Sequence, residues 1–461
     1  MKQTARIIST YSADAFGVCS ALFELGGMVI MHDASGCNST YTTHDEPRWY
    51  DMDSMIYISA LTEMEAIMGD DEKLIGDIAA AAEELQPRFI AVAGTPIPAM
   101  TGFDFTAVAE LIEERTGIPA FGFATTGMNT YVHGASMALE AVARRLVKRD
   151  VKKTEGLSVN ILGLTPLDFS ISGSDRSLVR FLEEEGFEVI SKWSMGCTLE
   201  ELAEAGRARV NLVVSSTGLG AAKALNEIFG TPYVAGVPFG EVMQDVVTHQ
   251  LLDACGFRVE VEAYGPDNDD EYELCDYAVS LGDALYDEYD DLFSDADIDS
   301  DVRIGISSFD VKMENNDFEK DADTYMVKTW IDESQAKTGE IVLKTSDMEG
   351  CDIAIIGEGI VSLGLAQAIE RNFGRSTKVL CATELDKKYL REKDVLTQYE
   401  EDVIEAVEGV QYVIADPLYK PICPEGAKFI PLPAESFSGR IWRNEIPDLI
   451  QGFEDYFYTY F

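Results

Sequence analysis

A chain of 461 residues, 46% of them apolar, can bury several cores, and at roughly 100–200 residues per domain it divides into about three. Asp and Glu number 82 against 36 Lys and Arg, a net charge of −46 that fits solvated helix faces and a salt-rich habitat and makes nucleic acid and anionic membranes poor partners. With no basic-then-apolar leader, no apolar run near the ~18 residues of a membrane span, and eight cysteines forming no CxxC or dense framework, a cytoplasmic protein with reduced thiols is expected.

Short apolar runs alternate with amphipathic stretches along the chain. An apolar strand ends at Met31, and "RFIAVAG" (88–94) predicts the next; "DFTAVAELIEERTG" (104–117) then keeps helical spacing and stops at Gly. "LSVNILG" (157–163) reads as a strand, "RSLVRFLEEEG" (176–186) as a helix, and "VNLVVSS" (210–216), "VRIGISS" (302–308), "DIAIIGEG" (352–359) and "VQYVIAD" (410–416) as further buried strands. The aromatic "IPDLIQGFEDYFYTYF" (446–461) closes the chain as a helix. Such alternation predicts an α/β protein of three Rossmann-like domains with mainly parallel sheets around a central cleft, its chemistry in the loops beyond the strands' carboxyl ends.

Composition places the boundaries. The basic "VKRDVKKTEG" (147–156) ends a first domain at 1–152, and "YGPDNDDEYE" ends a second at 153–264. An acidic, aromatic linker covers 265–301, and a third domain fills 302–461.

One stretch, "VIMHDASGCNSTYTTHDEP" (29–47), sets His32, Cys37 and His44 in a polar turn behind an apolar strand. "HDASGC" (32–37) resembles the HGPxGC turn of the nitrogenase component 1 family, whose relatives include the dark-operative protochlorophyllide reductases and the nickel-sirohydrochlorin cyclase subunit. "LTEMEAIMGDDEKLIGDI" (61–78) is similar to the family's TxLxExDxVFGGxxKL, "AVAGTPIPAMTGFDF" (91–105) to its strand and Gly-Asp loop, and "GIPAFGFATTGMNTYVHGASMA" (117–138) to the next strand and helix start. "GCTLEELAEAGRARVNLVVSS" (196–216) with "IFGTPYV" (228–234) resembles its GDGTLxEL, strand and GIP order. The resemblance implies that the turn's cysteine, Cys37, is a ligand of an iron–sulfur cluster at a subunit interface.

Departures from that pattern narrow the expectation. Of the three interface cysteines of the family, only Cys37 is in place; Tyr11 stands at the first position, and Thr95 and Pro96 at the third. Ser215 stands where a cysteine would anchor the iron–molybdenum cofactor, so neither a double-cubane cluster nor a dinitrogen-reducing site is expected. A [4Fe–4S] cluster needs about four thiolates, which Cys37 and Cys19 with their two-fold mates would supply. Cys19 in "FGVCSALFEL" instead lines the substrate cavity or is a small core residue; the three readings stay open.

Other candidates carry less. His32 holds the turn or contacts the cluster surroundings, and His133, at a helix start where nitrogenase has pocket histidines, is either a proton donor or a packing residue. His44 reads as an exposed loop residue and Cys197 as a loop thiol, while Cys255, Cys275, Cys351, Cys381 and Cys423 read as structural. "GEGIVSLG" (357–364) misses the third Gly of a dinucleotide turn, so it and Glu384 beyond it are read as structural, and no nucleotide is expected; no GxxxxGK[ST] is present either.

The resemblance then implies a component 1-like subunit of a two-component reductase. It would pair with itself or a paralogous chain, take low-potential electrons from an ATP-hydrolysing iron protein, and reduce an unknown small molecule. A cofactor-assembly scaffold of the same fold and a cluster-less binding protein are the alternatives.

Overall fold

In the computed structural model, residues 7, 12–34, 36, 38, 40–41, 43–256, 258–262, 310–314, 351–397 and 399–461 are described. Cys37, Tyr11, Cys275, the acidic linker and the strand expected at 302–308 lie outside them.

Three parallel sheets organise the chain. The first joins β1 (Met28–Met31), β2 (Met55–Ile58), β3 (Ile90–Ala93) and β4 (Ala120–Phe123) in the order β2-β1-β3-β4. With it go α1 (Asp14–Leu22), α2 (Glu63–Met68), α3 (Asp71–Leu85), α4 (Pro96–Thr101), α5 (Phe105–Thr116) and α6 (Tyr131–Arg145). The second joins β5 (Ser158–Leu164), β6 (Glu188–Ser194), β7 (Val210–Val213) and β8 (Tyr233–Ala235) in the same topology, β6-β5-β7-β8. Its helices are α7 (Pro166–Phe169), α8 (Ser174–Glu184), α9 (Leu199–Ala203), α10 (Leu219–Phe229) and α11 (Gly240–Ala254). After an antiparallel pair, β9 (Arg258–Glu262) with β10 (Asp310–Glu314), the third sheet orders as β13-β12-β11-β14-β15. Its strands are β11 (Ile353–Gly357), β12 (Thr377–Cys381), β13 (Val395–Leu396), β14 (Tyr412–Ala415) and β15 (Lys428–Pro431), with α12 (Gly359–Phe373), α13 (Glu400–Ala406), α14 (Glu435–Ser438) and α15 (Leu449–Phe457) around them.

The apolar runs form strands because both sheet faces are covered, so every residue of β1, β3, β5 and β7 is buried. The helix expected from "DFTAVAELIEERTG" forms as α5, capped by Asp104, whose carboxylate accepts from the Ala107 N–H at 3.0 Å, and ended by Gly117 in the left-handed region. One continuous apolar core runs through all three sheets, from Val29 through Ile161 to Ile355, with smaller clusters on the outer faces of the first and third. Between the first and second sheets α1 crosses α6 closely enough that a Cβ at Gly17 would fall on the Tyr131 carbonyl oxygen, and one at Gly134 on that of Asp14.

The loop beyond the HDASGC turn fastens the first sheet's region to the other two. Buried Arg48 donates to Glu46 at 2.7 Å, to Glu24 at 2.9 Å, to the Ser20 carbonyl at 2.6 Å and to the Ser194 carbonyl, at the end of β6, at 3.2 Å. On the other side Arg440 pairs with Asp45 at 3.6 Å.

Candidate functional site

In a parallel sheet the strands end along one edge, and the reversal of strand order opens a crevice there. It falls between β1 and β3, between β5 and β7, and between β11 and β14. Just past these strands stand three polar pairs: His32 with Thr95, Asp168 with Ser215, and Glu358 with Asp416.

The first pair is knitted shut. The Thr95 hydroxyl donates to the His32 carbonyl at 2.8 Å, the His32 Nδ1 pairs with the Ser59 hydroxyl at 2.9 Å, and the ring lies 4.5 Å from that of Phe103. Burial lowers the His32 pKa, outweighing the pull of Asp71, Asp33 and Glu65, so the imidazole is neutral near pH 7.

The second and third pairs meet. Asp168 Oδ2 accepts from the Ser215 hydroxyl at 2.6 Å and the Thr165 hydroxyl at 2.9 Å, and Oδ1 accepts from the Tyr131 hydroxyl, which the first turn of α6 brings in from the first sheet. Glu358 accepts from the N–H groups of Ile360 at 3.3 Å and Val361 at 2.9 Å at the start of α12, and from that of Ser216, beyond β7, at 3.0 Å. Each of the three sheets thus contributes one group: Tyr131, Asp168 and Glu358.

A cavity of about 80 Å³ lies at this junction, walled by Asp168, Glu358, Asp416, Ser436, Phe239 and Leu449 among others, with room for a few waters or a ligand of a few heavy atoms. Burial and then the Glu358 charge raise the Asp168 carboxyl to about 7, against the Ser215, Tyr131 and Thr165 hydroxyls that favour its ionised form. Burial also raises Glu358, opposed by the Ser216 hydroxyl and then its N–H donors, and lifts Tyr131 well above the usual phenol range.

Residues singled out in the sequence are spread more widely. Cys19 is fully enclosed in α1, where burial and then the Glu46 charge push its thiol up. His133 is half-buried two residues beyond Tyr131, which at 3.6 residues per turn points it about 200° away from that side chain. His44 pairs with the Thr43 hydroxyl at 3.1 Å, and Cys197 is buried with its N–H donating to Glu24 at 3.3 Å. Glu384 is a cap: it accepts the N–H of Thr130 at 2.8 Å and the Thr130 hydroxyl at the head of α6. Sequence reading passed over Asp168, Glu358 and Tyr131, although a lone acid one to four residues past a buried strand is the signal that marks the first two.

A [4Fe–4S] cluster takes four thiolates. Among the described residues no three of His, Cys, Asp and Glu gather as metal ligands, Cys19 is sealed in the core, and two family cysteine positions, Thr95 and Ser215, are hydroxyls bonded within the protein. The described donors of one chain do not fit such a cluster; Cys37 and a second chain would have to complete it.

A larger hollow, about 830 Å³, lies against the first sheet, walled by Met28, Ile30, Tyr57 and Phe103, with acids such as Asp70 and Asp104 along it. His32 reaches it, but with Nδ1 already paired to Ser59. Nearby α2 buries none of its residues and exposes Met64, Ile67 and Met68. Among the described residues no helix is long and apolar enough to cross a membrane.

Comparison with known proteins matches residues 14–265 to the family described as Nitrogenase component 1 type Oxidoreductase. The chain is 26% identical over 243 residues to the nitrogenase iron-molybdenum cofactor biosynthesis protein NifE of Clostridium pasteurianum, covering 50% of this chain and 51% of that protein. It is 30% identical over 176 residues to one of the subunits of the light-independent protochlorophyllide reductase of Prosthecochloris aestuarii (37% of this chain, 32% of that protein), so it spans about half or less of the relatives it matches. The solved structure "Nitrogenase Cp1 at pH 6.5" superposes with a TM-score of 0.61 at 16% identity, over 100% of this chain and 94% of that one, which shows the fold. With more than half of its 461 residues matched to that family, the chain belongs to the nitrogenase component 1 type oxidoreductases.

Proposed function

We propose that this chain is the substrate-binding, component 1-like subunit of a two-component reductase, with a small molecule reduced at the junction of the three sheets. The observation that carries the reading is the convergence of Glu358 and of Asp168, which Tyr131 braces from behind, on one small cavity beyond the strands' carboxyl ends. Asp168, held in place by the Tyr131 hydroxyl, orients a ligand and holds a proton, while the enclosing Phe239 and Leu449 exclude water. His133 is a further proton carrier on this reading, acting from its own face of α6.

Low-potential electrons are what an interfacial [4Fe–4S] cluster would supply, with Cys37 as this chain's ligand and a second copy or a paralogue completing it. Cys19 and His32 are the chain's other candidates beside such a cluster; the burial of Cys19 favours a packing role. An iron protein that hydrolyses ATP is the expected electron donor, and the exposed apolar residues of α2 suit a macromolecular partner. The domain division at 152 and 264 and a cytoplasmic location belong to the same reading.

The similarity to NifE favours a second reading, a cofactor-assembly scaffold. Anaerobic purification with iron and sulfide analysis, followed by turnover with the cognate iron protein, separates the two: a reductase consumes reductant and substrate, whereas a scaffold holds and releases metal without turnover. Metal-free protein without turnover would remove both.

A further inference from the structure

We infer that Asp168 and Glu358 together hold a single proton at neutral pH, and that this proton, carried on Asp168 at the wall of the junction cavity, is delivered to the ligand bound there. The delivery rests on the reductase reading; the proton itself does not.

Asp168 and Glu358, with Asp416 across from them, line a cavity whose described walls contain no Lys, Arg or His. The guanidinium of Arg443 is bound by Glu435, which Ser170 contacts at 2.9 Å. The other titratable groups facing the pair are Tyr131 from α6, Asp416 across the cavity and Cys381 at the end of β12, none of them a cation. Like charges in so enclosed a place do not both persist, and the proton settles on the carboxyl that tolerates it better.

The donors decide which one that is. Glu358 is held by three backbone N–H groups, two of them at the start of the 15-residue α12, and an N–H can only donate; the Ser216 hydroxyl faces it too, but without a well-formed hydrogen bond. Asp168 is surrounded instead by hydroxyls, each of which can turn and accept. Protonating Glu358 weakens three donors that cannot turn round; protonating Asp168 only reorients one of its hydroxyls. Asp168 is also the less enclosed of the two, at the cavity edge.

A separate observation points to a ligand. The Ser436 hydroxyl, 3% exposed and on the cavity wall, has the Tyr131 hydroxyl near it but makes no well-formed hydrogen bond. A small polar ligand between it and Asp168 would satisfy it. In the transfer the Asp168 O–H bond breaks and a bond forms between that proton and an electron-rich ligand atom. The carboxylate left behind is met by the Tyr131, Thr165 and Ser215 hydroxyls and regains a proton from solvent. Electrons for a net reduction come from the low-potential donor of the proposed function.

Infrared titration of the full chain from about pH 5 to about pH 9 tests this without turnover. A protonated-carboxyl band should fade with a midpoint about 7 and be absent from Asp168→Asn. In Glu358→Gln the midpoint should fall by at least about one pH unit, a tenfold loss of proton affinity. A band that survives Asp168→Asn, or a midpoint unmoved by Glu358→Gln, overturns the shared proton. Stability gives the sign independently: the folded chain keeps a proton that the unfolded one sheds near pH 4, so wild-type stability falls as pH rises from there to about 7, a fall Asp168→Asn should lack. Asp168→Asn should lower kcat at neutral pH by about 10²–10⁴-fold with little change in KM. Full turnover in that variant overturns delivery alone, while a wild type inert with its iron protein counts against the reductase reading and leaves the proton to the spectrum.

Discussion

Thr95 and Ser215 occupy two positions at which the family's pattern calls for cysteine, and both spend their hydroxyls inside the protein, on His32 and Asp168. A thiol at either place would be a weaker donor, so the exchange replaces metal ligation with a hydrogen-bonded network. On the proposed function iron binding turns on Cys37, and Cys37→Ala is expected to remove bound iron from anaerobically purified protein. Cys19→Ala should keep the iron and cost on the order of 1 kcal/mol in urea unfolding, a packing loss in the core of α1. Iron retained in full by Cys37→Ala would remove the cluster from the proposed function. Arg48 is the costlier residue: its loss leaves Glu24 and Glu46, each with an almost fully buried carboxylate, without their cation, so Arg48→Ala should destabilise by about 3–5 kcal/mol in the same assay. The sequence singles out Cys37 because it sits in one short motif, although Cys37 itself lies outside the described residues. The carboxyl pair was not legible there, because Tyr131, Asp168, Ser215 and Glu358 come from segments far apart and only the docking of three sheets brings them together.

At the level of elements, the strands could be read from their apolar runs because burial on both faces removes the polar alternation that otherwise confuses strand with loop. What the pattern could not convey is how closely helices approach. Gly17 and Gly134 look interchangeable with Ala in an amphipathic stretch, yet each lies against the backbone of the opposite helix where α1 crosses α6. Adding a methyl group at either must push the helices apart, so Gly17→Ala and Gly134→Ala should each cost roughly 1–3 kcal/mol or more. Gly76, within α3, has nothing near its missing Cβ, and Gly76→Ala should stabilise by roughly 0.5–1 kcal/mol. Thermal unfolding of the three variants side by side checks the contrast; equal shifts would mean that the α1–α6 contact is looser than described.

For the molecule as a whole, a net charge of −46 on one chain means that folding gathers mutually repelling carboxylates. Shortening the screening length from about 10 Å at 0.1 M salt to about 3 Å at 1 M should relieve that repulsion and raise Tm by at least several degrees. A Tm that stays flat or falls with added sodium chloride would show that ion pairs such as Arg115–Glu72 and Arg145–Glu113 outweigh the repulsion. The cap that Glu384 places on Thr130 also bears on the order of events during synthesis, since it joins positions 254 residues apart. At roughly 5–20 residues per second, α6 leaves the ribosome many seconds before the residue that finishes its first turn has been made. Until then the Thr130 N–H and hydroxyl face water, and the nascent N-terminal half offers an unfinished seam that a chaperone could cover.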